Sequence, residues 1–258
     1  MFRGISKGTL RKSAGTKLFD QMKLSIIIPA HDEEQRLRST LDEYLCYFDK
    51  VYWGEFEIII VPNGCSDNTL EIAKEYQSKR PQVGYSNIDE KVGKGGAVVR
   101  GFRIARGEVV AFVDADGATR PEELHKLVNR IGTCDVVIGS RWLKGSVIIA
   151  RQNIVRIAAG RGFNLAVRLM LSLPFADTQC GAKAFKKSAV DAIVDKLQVM
   201  NFAFDTELLY VLKKCRYKIE EMPITWEDKR GSTVRLHRIA LQTIWTIVRL
   251  RFRKGICD

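Results

Sequence analysis

The chain has 258 residues, of which 46% are apolar and 28% are charged. It is therefore long and apolar enough to bury a core, and its composition argues against intrinsic disorder. The net charge of +12 is concentrated in three segments that contain no acidic residue, namely 1–19, 136–176 and 229–254. Such segments predict an anionic partner, either phosphate, lipid headgroups or nucleic acid, although a solvated face is the usual meaning of a charge run.

The six cysteines form no Cys-x-x-Cys pair, and there are only three histidines, so we expect no structural zinc site. The N-terminus lacks the compact apolar stretch of a secretory signal, and no run reaches the ~18 apolar residues that span a bilayer. We therefore expect reduced thiols, no transmembrane helix and a cytoplasmic protein.

Apolar runs and helical patterns alternate along the first half of the chain. Strands are predicted at 23–29, 56–61, 83–88, 109–113 and 135–139, and helices at 33–48, 67–79, 95–105 and 121–131. Because the strand runs are almost continuously apolar, they predict a mostly parallel, doubly wound sheet covered on both faces by helices.

The second half is less regular. It contains a basic helix at 152–171, a polar turn at 177–183, a helix at 203–215 and a strand at 217–224. A basic amphipathic helix is predicted over 233–253. We divide the chain into a basic extension (1–22), one α/β domain (23–232) and a C-terminal basic helix (233–258).

In open α/β sheets, ligands bind beyond the carboxyl ends of the strands. The residues at those points are 29–34, 62–67, 89–94, 114–119 and 140–141, and they are rich in carboxylates, glycine, asparagine and basic groups. Asp114 and Asp116 follow the fourth strand, and Gly117 permits the chain to turn there. Two hard oxygen ligands at this spacing suit Mg²⁺ or Mn²⁺ bound to substrate phosphates, although two turn-forming aspartates would look the same.

The ordered set of motifs resembles the inverting nucleotide-sugar glycosyltransferases of family 2, in particular the dolichyl-phosphate β-glucosyltransferases and the dolichol-phosphate mannosyltransferases. The matching segments are SIIIPAHDEE (25–34), 64–69, GKGGAV (93–98), DADGAT (114–119), GSR (139–141), DTQCG (177–181) and FDTEL (204–208). GKGGAV, DADGAT and DTQCG are closer to the glucosyl branch. The resemblance implies a GT-A fold, which is a Rossmann-like doubly wound sheet.

The same resemblance implies roles for individual residues. Those implied to bind the nucleotide-sugar are Pro29, Ala30, Glu33, Lys94, Asp114 and Ala115. Asp116 is implied to hold a Mg²⁺ or Mn²⁺ ion on the diphosphate, where the metal offsets charge on the departing nucleotide. The glycines at 93–96 could also be no more than a helix-starting turn, since the spacing of a Walker loop is absent.

Two positions depart from the family pattern. His31-Asp32 stands where the family usually has Tyr-Asn, and Pro62-Asn63 stands where it usually has two aspartates. The second of those aspartates faces the nucleobase. Asn63 offers one donor and one acceptor, which complement the edge of uracil. This favours a UDP-sugar as the donor.

The acceptor side is assigned to the basic segment 136–176, where arginines could clamp a phosphate. The candidates are Arg141, Arg151, Arg156 and Arg161. Their spacing does not place all four on one helical face, so we expect two to be functional. The resemblance places Gln179 in the sugar or acceptor pocket, where it could also be a plain turn residue. Asp205 is a candidate general base or sugar-positioning residue, unless it and Glu207 only decorate a surface helix.

These observations predict an enzyme that moves a hexose from a nucleotide-sugar to a polyprenyl (dolichyl) phosphate, with UDP-glucose favoured over GDP-mannose. The C-terminal helix is expected to bind an anionic bilayer peripherally at its cytoplasmic face, or else to pack on the core. The alternatives are transfer to a polysaccharide or protein hydroxyl, a basic nucleic-acid-binding module, and a catalytically silent scaffold. The acidic strand ends argue against nucleic acid as a partner, because they would repel phosphate without a metal.

Overall fold

The computed structural model describes residues 22–149, 154–201, 203–227 and 246–257, with the backbone alone over 154–159. The strands in these ranges are β1 (Leu24–Ala30), β2 (Phe56–Pro62), β3 (Val83–Tyr85), β4 (Val109–Phe112), β5 (Val136–Ser140), β6 (Val147–Ile149), β7 (Lys183–Lys186), β8 (Ile219–Pro223) and β9 (Thr225–Glu227). The α-helices are α1 (Leu37–Tyr52), α2 (Thr69–Lys79), α3 (Gly93–Ile104), α4 (Pro121–Arg130), α5 (Ile154–Leu171), α6 (Lys187–Ile193) and α7 (Phe204–Lys214).

Seven strands form one sheet in the order β3-β2-β1-β4-β7-β5-β8, and β6 pairs with β9 in a separate two-stranded sheet. β1 runs parallel to both β2 and β4, and every residue of β1 and β2 is buried. Strands covered on both faces need apolar side chains on both faces, which is what their sequences contain. The prediction of a mostly parallel α/β sheet is confirmed.

The alternation of side chains along β1 separates two hydrophobic clusters. Ile27 belongs to the cluster that includes residues of α3 and α7, whereas Ile26 and Ile28 belong to the cluster that includes residues of α1 and α4. Successive side chains of a strand point to opposite faces of the sheet. Helices therefore cover both faces, which leaves the strand ends as the place where polar side chains can gather.

β7 is antiparallel to its neighbours β4 and β5. Its first residue, Lys183, pairs with Phe112 of β4 and Ile138 of β5. Because β7 runs in the opposite direction, its beginning lies where β4 and β5 end. From the sequence, a polar turn was predicted up to residue 183 and no strand after it, because the run KAFK is short and has a charge at each end. The antiparallel strand delivers the DTQCG segment to the carboxyl edge of the sheet.

The C-terminal segment packs on the core. Residues 246–251 are helical, and Ile247, Leu250 and Ile256 are buried in the same cluster as α7. Cys215 and Cys257 form a disulfide with their Cα atoms 5.2 Å apart. The expectation of six reduced thiols is therefore wrong for this pair, which lies 42 residues apart in sequence and meets only because the segment folds back onto α7.

Most of the basic extension and much of the predicted C-terminal helix lie outside the described residues, which omit 1–21 and 228–245. The domain boundaries proposed from the sequence therefore remain predictions. None of the helices in the described ranges is both long enough and apolar enough to cross a membrane.

Candidate active site at the carboxyl edge of the sheet

The loop that carries Asp114 and Asp116 follows β4 and is anchored by helix α1. The Thr40 hydroxyl donates to the Ala115 carbonyl oxygen at 2.9 Å, and the Tyr44 hydroxyl donates to the Thr119 carbonyl oxygen at 2.9 Å. Gly117 has a φ of 70°, a conformation that glycine adopts without steric cost. The loop is thus held in a turn at the edge of the sheet.

Asp116 has the features of a ligand for a hard cation. Its Oδ1 accepts the Ala118 N–H at 2.9 Å. Burial, together with the Asp114 carboxylate, raises the pKa of Asp116 above its ordinary value. A divalent cation would offset this crowding of negative charge, and Mg²⁺ or Mn²⁺ is often held by one or two carboxylates together with substrate phosphates. The chemistry of this donor set therefore fits such a metal.

Asp114 is paired instead with a lysine. Lys94, at the start of α3, places its Nζ 2.9 Å from Asp114 Oδ1 and 3.2 Å from Asp205 Oδ2. Burial alone lowers the pKa of Lys94, but the two carboxylates outweigh burial and raise that pKa above its ordinary value. Lys94 therefore stays cationic and joins the end of β4 to the first turn of α7.

Asp205 is bound on both of its oxygens. Lys183 Nζ lies 2.6 Å from Oδ1, while Lys94 approaches Oδ2. Burial raises the pKa of Asp205, and the two ammonium groups outweigh it, so the pKa is lowered below its usual range. A carboxylate in this setting is a poor proton acceptor, and the geometry favours a positioning role over that of a general base.

Both Asp205 and Glu207 are buried, at 2% and 0% exposure. The alternative that they decorate a surface helix is therefore wrong. Glu207 accepts the backbone N–H groups of Gln198 and Val199 and faces Arg253 of the C-terminal segment. The sequence left exposure open as an alternative because two acidic residues in a first helical turn usually face solvent.

The glycines of GKGGAV serve close packing. A Cβ at Gly95 would lie 2.6 Å from both Phe204 Cβ and the Val199 carbonyl oxygen. Two N–H groups at this helix start already have protein partners, because Gly93 N donates to Asn63 Oδ1 at 3.2 Å and Gly96 N donates to the Met200 carbonyl oxygen at 3.3 Å. This supports the helix-starting turn and gives the glycines a packing reason.

The residues assigned to the nucleotide pocket lie around the ends of β1 and β2. Pro29 and Ala30 end β1 and are buried. Glu33 forms a bidentate pair with Arg36, with both contacts at 2.7 Å. Burial raises the pKa of Glu33 despite the opposing effect of Arg36. Beside them, His31 Nδ1 lies 2.9 Å from the Asn63 carbonyl oxygen.

The side chain of Asn63 is occupied by the backbone. It is 2% exposed, its Nδ2 donates to the Ala30 carbonyl oxygen at 2.9 Å, and its Oδ1 accepts the N–H of Gly93. This arrangement joins the ends of β1 and β2 to the start of α3. It leaves the amide turned to the protein, so the inference from Asn63 to a uracil edge gains no support from the geometry.

Arg141 is held by a carboxylate. Its Nε and Nη2 lie 2.7 and 2.9 Å from the two oxygens of Asp177, which is 1% exposed. Burial lowers the pKa of Arg141, but Asp177 outweighs burial and raises it above the ordinary value. The guanidinium also lies over the rings of Trp142 and Trp226, at 5.6 and 5.3 Å. Its fork is therefore already filled by Asp177, which does not favour Arg141 as the phosphate clamp.

Of the other three arginine candidates, only Arg161 has a side chain among the described residues. Arg161 is exposed on α5 and lies over the Trp142 ring at 4.8 Å. It therefore shares Trp142 with Arg141 and remains a candidate phosphate clamp on an exposed part of α5. Arg151 lies outside the described residues, and only the backbone of Arg156 is described, so both remain predictions.

Gln179 bridges two site segments. Its Nε2 donates to the Thr206 hydroxyl at 2.9 Å, and its backbone N–H donates to Asp177 Oδ1 at 3.2 Å. A Cβ at the nearby Gly181 would lie 1.8 Å from Asp114 Oδ2, so only glycine fits there. The DTQCG segment therefore lies directly against the loop that carries Asp114 and Asp116.

Neither Lys183 nor Asp177 was predicted from the sequence as a functional residue. Asp177 belongs to the matched DTQCG motif, and pairing with an arginine could have been suspected from the acid-free segment around it. Lys183 had no signal of its own, because a lysine at the start of a short strand reads as a surface residue.

The family resemblance inferred from the sequence motifs is supported by known proteins. The family model described as "Glycosyl transferase family 2" matches residues 25–194 of this chain. The dolichyl-phosphate beta-glucosyltransferase of Dictyostelium discoideum is 33% identical, over 91% of this chain and 75% of the relative. That of Homo sapiens is 31% identical, over 81% and 69%.

Among solved structures, glucosyl-3-phosphoglycerate synthase of Mycobacterium tuberculosis with Mn²⁺, UDP-glucose and phosphoglyceric acid matches with a TM-score of 0.67 and 17% identity, over 91% of this chain and 81% of that one. This likeness supports the fold. The family match and the relatives confirm the resemblance inferred from the motifs, and the chain is an enzyme that belongs to glycosyl transferase family 2.

Proposed function

We propose that the enzyme transfers glucose from UDP-glucose to a polyprenyl (dolichyl) phosphate at a membrane surface, with inversion at the sugar carbon. One observation carries the reaction class. Two carboxylates stand side by side at the end of β4, one neutralised by Lys94 at 2.9 Å and the other, Asp116, crowded by its neighbour. Relatives named dolichyl-phosphate beta-glucosyltransferase support the substrates.

The donor binds across the ends of β1, β2 and β4. Asp116 would hold a Mg²⁺ or Mn²⁺ ion, which when bound supplies positive charge to the diphosphate as it leaves. Lys94 lies 14% exposed beside Asp114, which is 42% exposed, so its ammonium can add to the positive potential at the same place. Donors that are fixed before the reaction cost no reorganisation as charge develops.

The state of Asp205 favours a phosphate acceptor over a hydroxyl. A hydroxyl must lose its proton to a base as it attacks, and Asp205 is bound on both oxygens by ammonium groups. A phosphate is already an anion at neutral pH and attacks without a base. The alternative acceptors, polysaccharide or protein hydroxyls, would need another base.

The choice of donor rests on known proteins, since the Asn63 side chain is bonded to the backbone and gives no support for a uracil base. The relatives are named beta-glucosyltransferases. A β product from an α-linked nucleotide-sugar requires inversion at C1. The similar M. tuberculosis structure contains UDP-glucose and Mn²⁺, which makes UDP with Mn²⁺ the first pair to test.

The membrane part of the proposal rests on two surfaces. In the C-terminal segment, Phe252 is 77% exposed and lies between Arg251 and Arg253. On α5, Leu165 and Leu169 are exposed beside Arg168. Exposed apolar side chains next to basic ones are typical of surfaces that bind anionic bilayers. A cytoplasmic location at such a membrane face belongs to the same proposal.

The test uses purified enzyme, a panel of UDP- and GDP-sugars, Mg²⁺ or Mn²⁺, and radiolabelled sugar transferred to dolichyl phosphate. We expect the highest kcat/KM with UDP-glucose and a β-linked lipid product. Tighter binding of GDP than UDP by calorimetry would overturn the donor. Transfer to a sugar hydroxyl at a higher rate than to dolichyl phosphate would overturn the acceptor.

A further inference from the structure

Lys183 is a buried lysine at the beginning of β7. Its side chain is 0% exposed, and its Nζ lies 2.6 Å from both Asp205 Oδ1 and the Cys180 carbonyl oxygen. It also lies over the Phe112 ring, 5.4 Å from its centroid. Lysine is almost never fully buried unless it is paired, so the surroundings of this ammonium are specific.

Stability alone does not explain a charge at this place. Removing an ion pair from water costs several kcal/mol per ion, and apolar side chains of similar volume in its place are often neutral or stabilising. Apolar side chains at both 183 and 205 would fill the same volume without that cost. The lysine is therefore better explained by what it does to its neighbours.

Lys183 is one end of a row of alternating charges. Its partner Asp205 turns its other oxygen to Lys94, and Lys94 in turn contacts Asp114. The row joins β7, α7, α3 and the loop after β4. Without Lys183, the carboxylates of Asp205 and Asp114 would compete for the single ammonium of Lys94, and one negative charge of the row would be left unpaired.

Resting on the proposed function, we propose that Lys183 is a positioning residue for sugar transfer. It fixes Asp205 so that Asp205 and Asp114 together hold the Lys94 ammonium at the diphosphate of the donor. Lys183 itself is closed to substrate, since its side chain is fully buried. It affects the reaction through Asp205 and Lys94. The rate of transfer should be sensitive to the position of the Lys94 ammonium, because a displacement of about 1 Å can reduce a rate 10²-fold.

The first experiment replaces Lys183 by methionine and measures steady-state transfer together with calorimetric binding of UDP and of uridine. We expect kcat for Lys183→Met to fall about 10²-fold. The affinity for UDP should fall as well, because UDP carries the diphosphate at which Lys94 is held. The Kd for uridine should change less than about threefold, because the proposed nucleoside site lies at the ends of β1 and β2 rather than at this row. A merely structural role would not separate the diphosphate-dependent losses from the nucleoside affinity in this way.

Lys186→Met is the matched control. Lys186 lies on the same strand, pairs with Asp135 at 2.8 Å and is 37% exposed. Its replacement removes an ion pair and a lysine from β7 at its opposite end. We expect kcat to remain at the wild-type value.

A double-mutant cycle tests the route through Asp205. If Lys183 acts by fixing Asp205, then Lys183→Met combined with Asp205→Asn should have the kcat of Asp205→Asn alone. The double variant also leaves no unpaired Asp205 charge, so it should fold even if Lys183→Met alone does not. A folded double variant whose loss equals the product of the two single losses would overturn the inference.

The two proposals fail in different ways. Wild-type enzyme that transfers no sugar to dolichyl phosphate would refute the proposed function, and this inference with it. Active wild-type enzyme together with a Lys183→Met variant whose kcat stays within about threefold of it would refute this inference alone.

Discussion

Arg253 ties the C-terminal segment to helix α7, and its replacement by methionine tests whether that segment belongs to the core. Arg253 Nη1 lies 2.8 Å from Glu207 Oε1, and Nη2 donates to the Lys196 carbonyl oxygen at 2.6 Å. The Glu207 side chain is 0% exposed. Arg253→Met would leave this buried carboxylate without its cation.

The expected loss follows from the remaining partners. Breaking a fully buried pair costs about 3–5 kcal/mol. Arg253 is 18% exposed, and Glu207 keeps the N–H donors of Gln198 and Val199 at 2.9 and 2.7 Å. We therefore expect a smaller loss of unfolding free energy, about 2–3 kcal/mol. For a chain of this size that lowers Tm by roughly 4–12 °C.

The loss should depend on pH in a defined direction. Burial raises the pKa of Glu207, and its N–H donors and Arg253 oppose that rise. Without Arg253 the pKa of Glu207 rises further, so the loss of unfolding free energy is largest near neutral pH, where Glu207 is ionised. As the pH falls through that raised pKa, Glu207 becomes protonated in the folded state and the difference between variant and wild type shrinks.

Urea unfolding at several pH values measures both effects. Arg251→Met is the control, because Arg251 is exposed two residues earlier in the same segment and its replacement should change stability by less than about 0.5 kcal/mol. Equal effects of the two variants at neutral pH would refute the reasoning, as would a deficit that grows at acidic pH. The C-terminal segment would then not be held by this ion pair.

Three further predictions concern the site and the membrane. Asp116→Asn keeps the size of the side chain but loses its charge, so the rate of sugar transfer should fall at least about 10³-fold while Tm is unchanged or higher. Removal of the metal with EDTA should have the same effect on the rate. Full activity of the variant or of the EDTA-treated enzyme would exclude the metal role. Gly181→Ala places a Cβ 1.8 Å from Asp114 Oδ2 and should abolish activity, whereas Gly160→Ala, with nothing within 4 Å of its Cβ, should not. Replacing Arg251, Phe252 and Lys254 together by serine should weaken salt-sensitive co-sedimentation with anionic liposomes, since each basic residue near such a surface adds about 1 kcal/mol; unchanged binding would place the contact elsewhere. Deletion of the segment is a poorer test, because Ile247, Leu250 and Ile256 are buried.

The sheet could be predicted because its signal is local. The runs around Ile26–Ile28 and Ile58–Ile60 are too apolar to lie anywhere but between two layers of helices. The DAD motif could be placed for the same reason, since a polar pair directly after a buried strand must lie at its carboxyl end. Family motifs supplied Lys94, Gln179 and Asp205 as candidates, and the structure brings Lys94 and Asp205 into one ion-pair network.

Pairing across long distances in sequence decided the roles of these residues. Asn63 was expected to hydrogen-bond to the nucleobase. Its amide instead bonds to the backbone of Ala30 and Gly93, because the ends of β1 and β2 and the start of α3 meet there. Arg141 was one of four candidate phosphate clamps, but its guanidinium is already bound by Asp177.

The sequence by itself determined the fold class, the family and the place of the candidate site at the edge of the sheet, because hydrophobic periodicity and short motifs act between neighbouring residues. Only the tertiary structure decided which charges meet. Lys183 and Asp205 lie 22 residues apart, and Arg253 and Glu207 lie 46 apart. The free energy of an ion pair depends on distance and burial, which no local pattern contains. The antiparallel strand β7 brings Lys183 to Asp205, and the returning C-terminal segment brings Arg253 to Glu207. The first of these pairs helps to keep Asp205 ionised, and the proposed mechanism depends on that state.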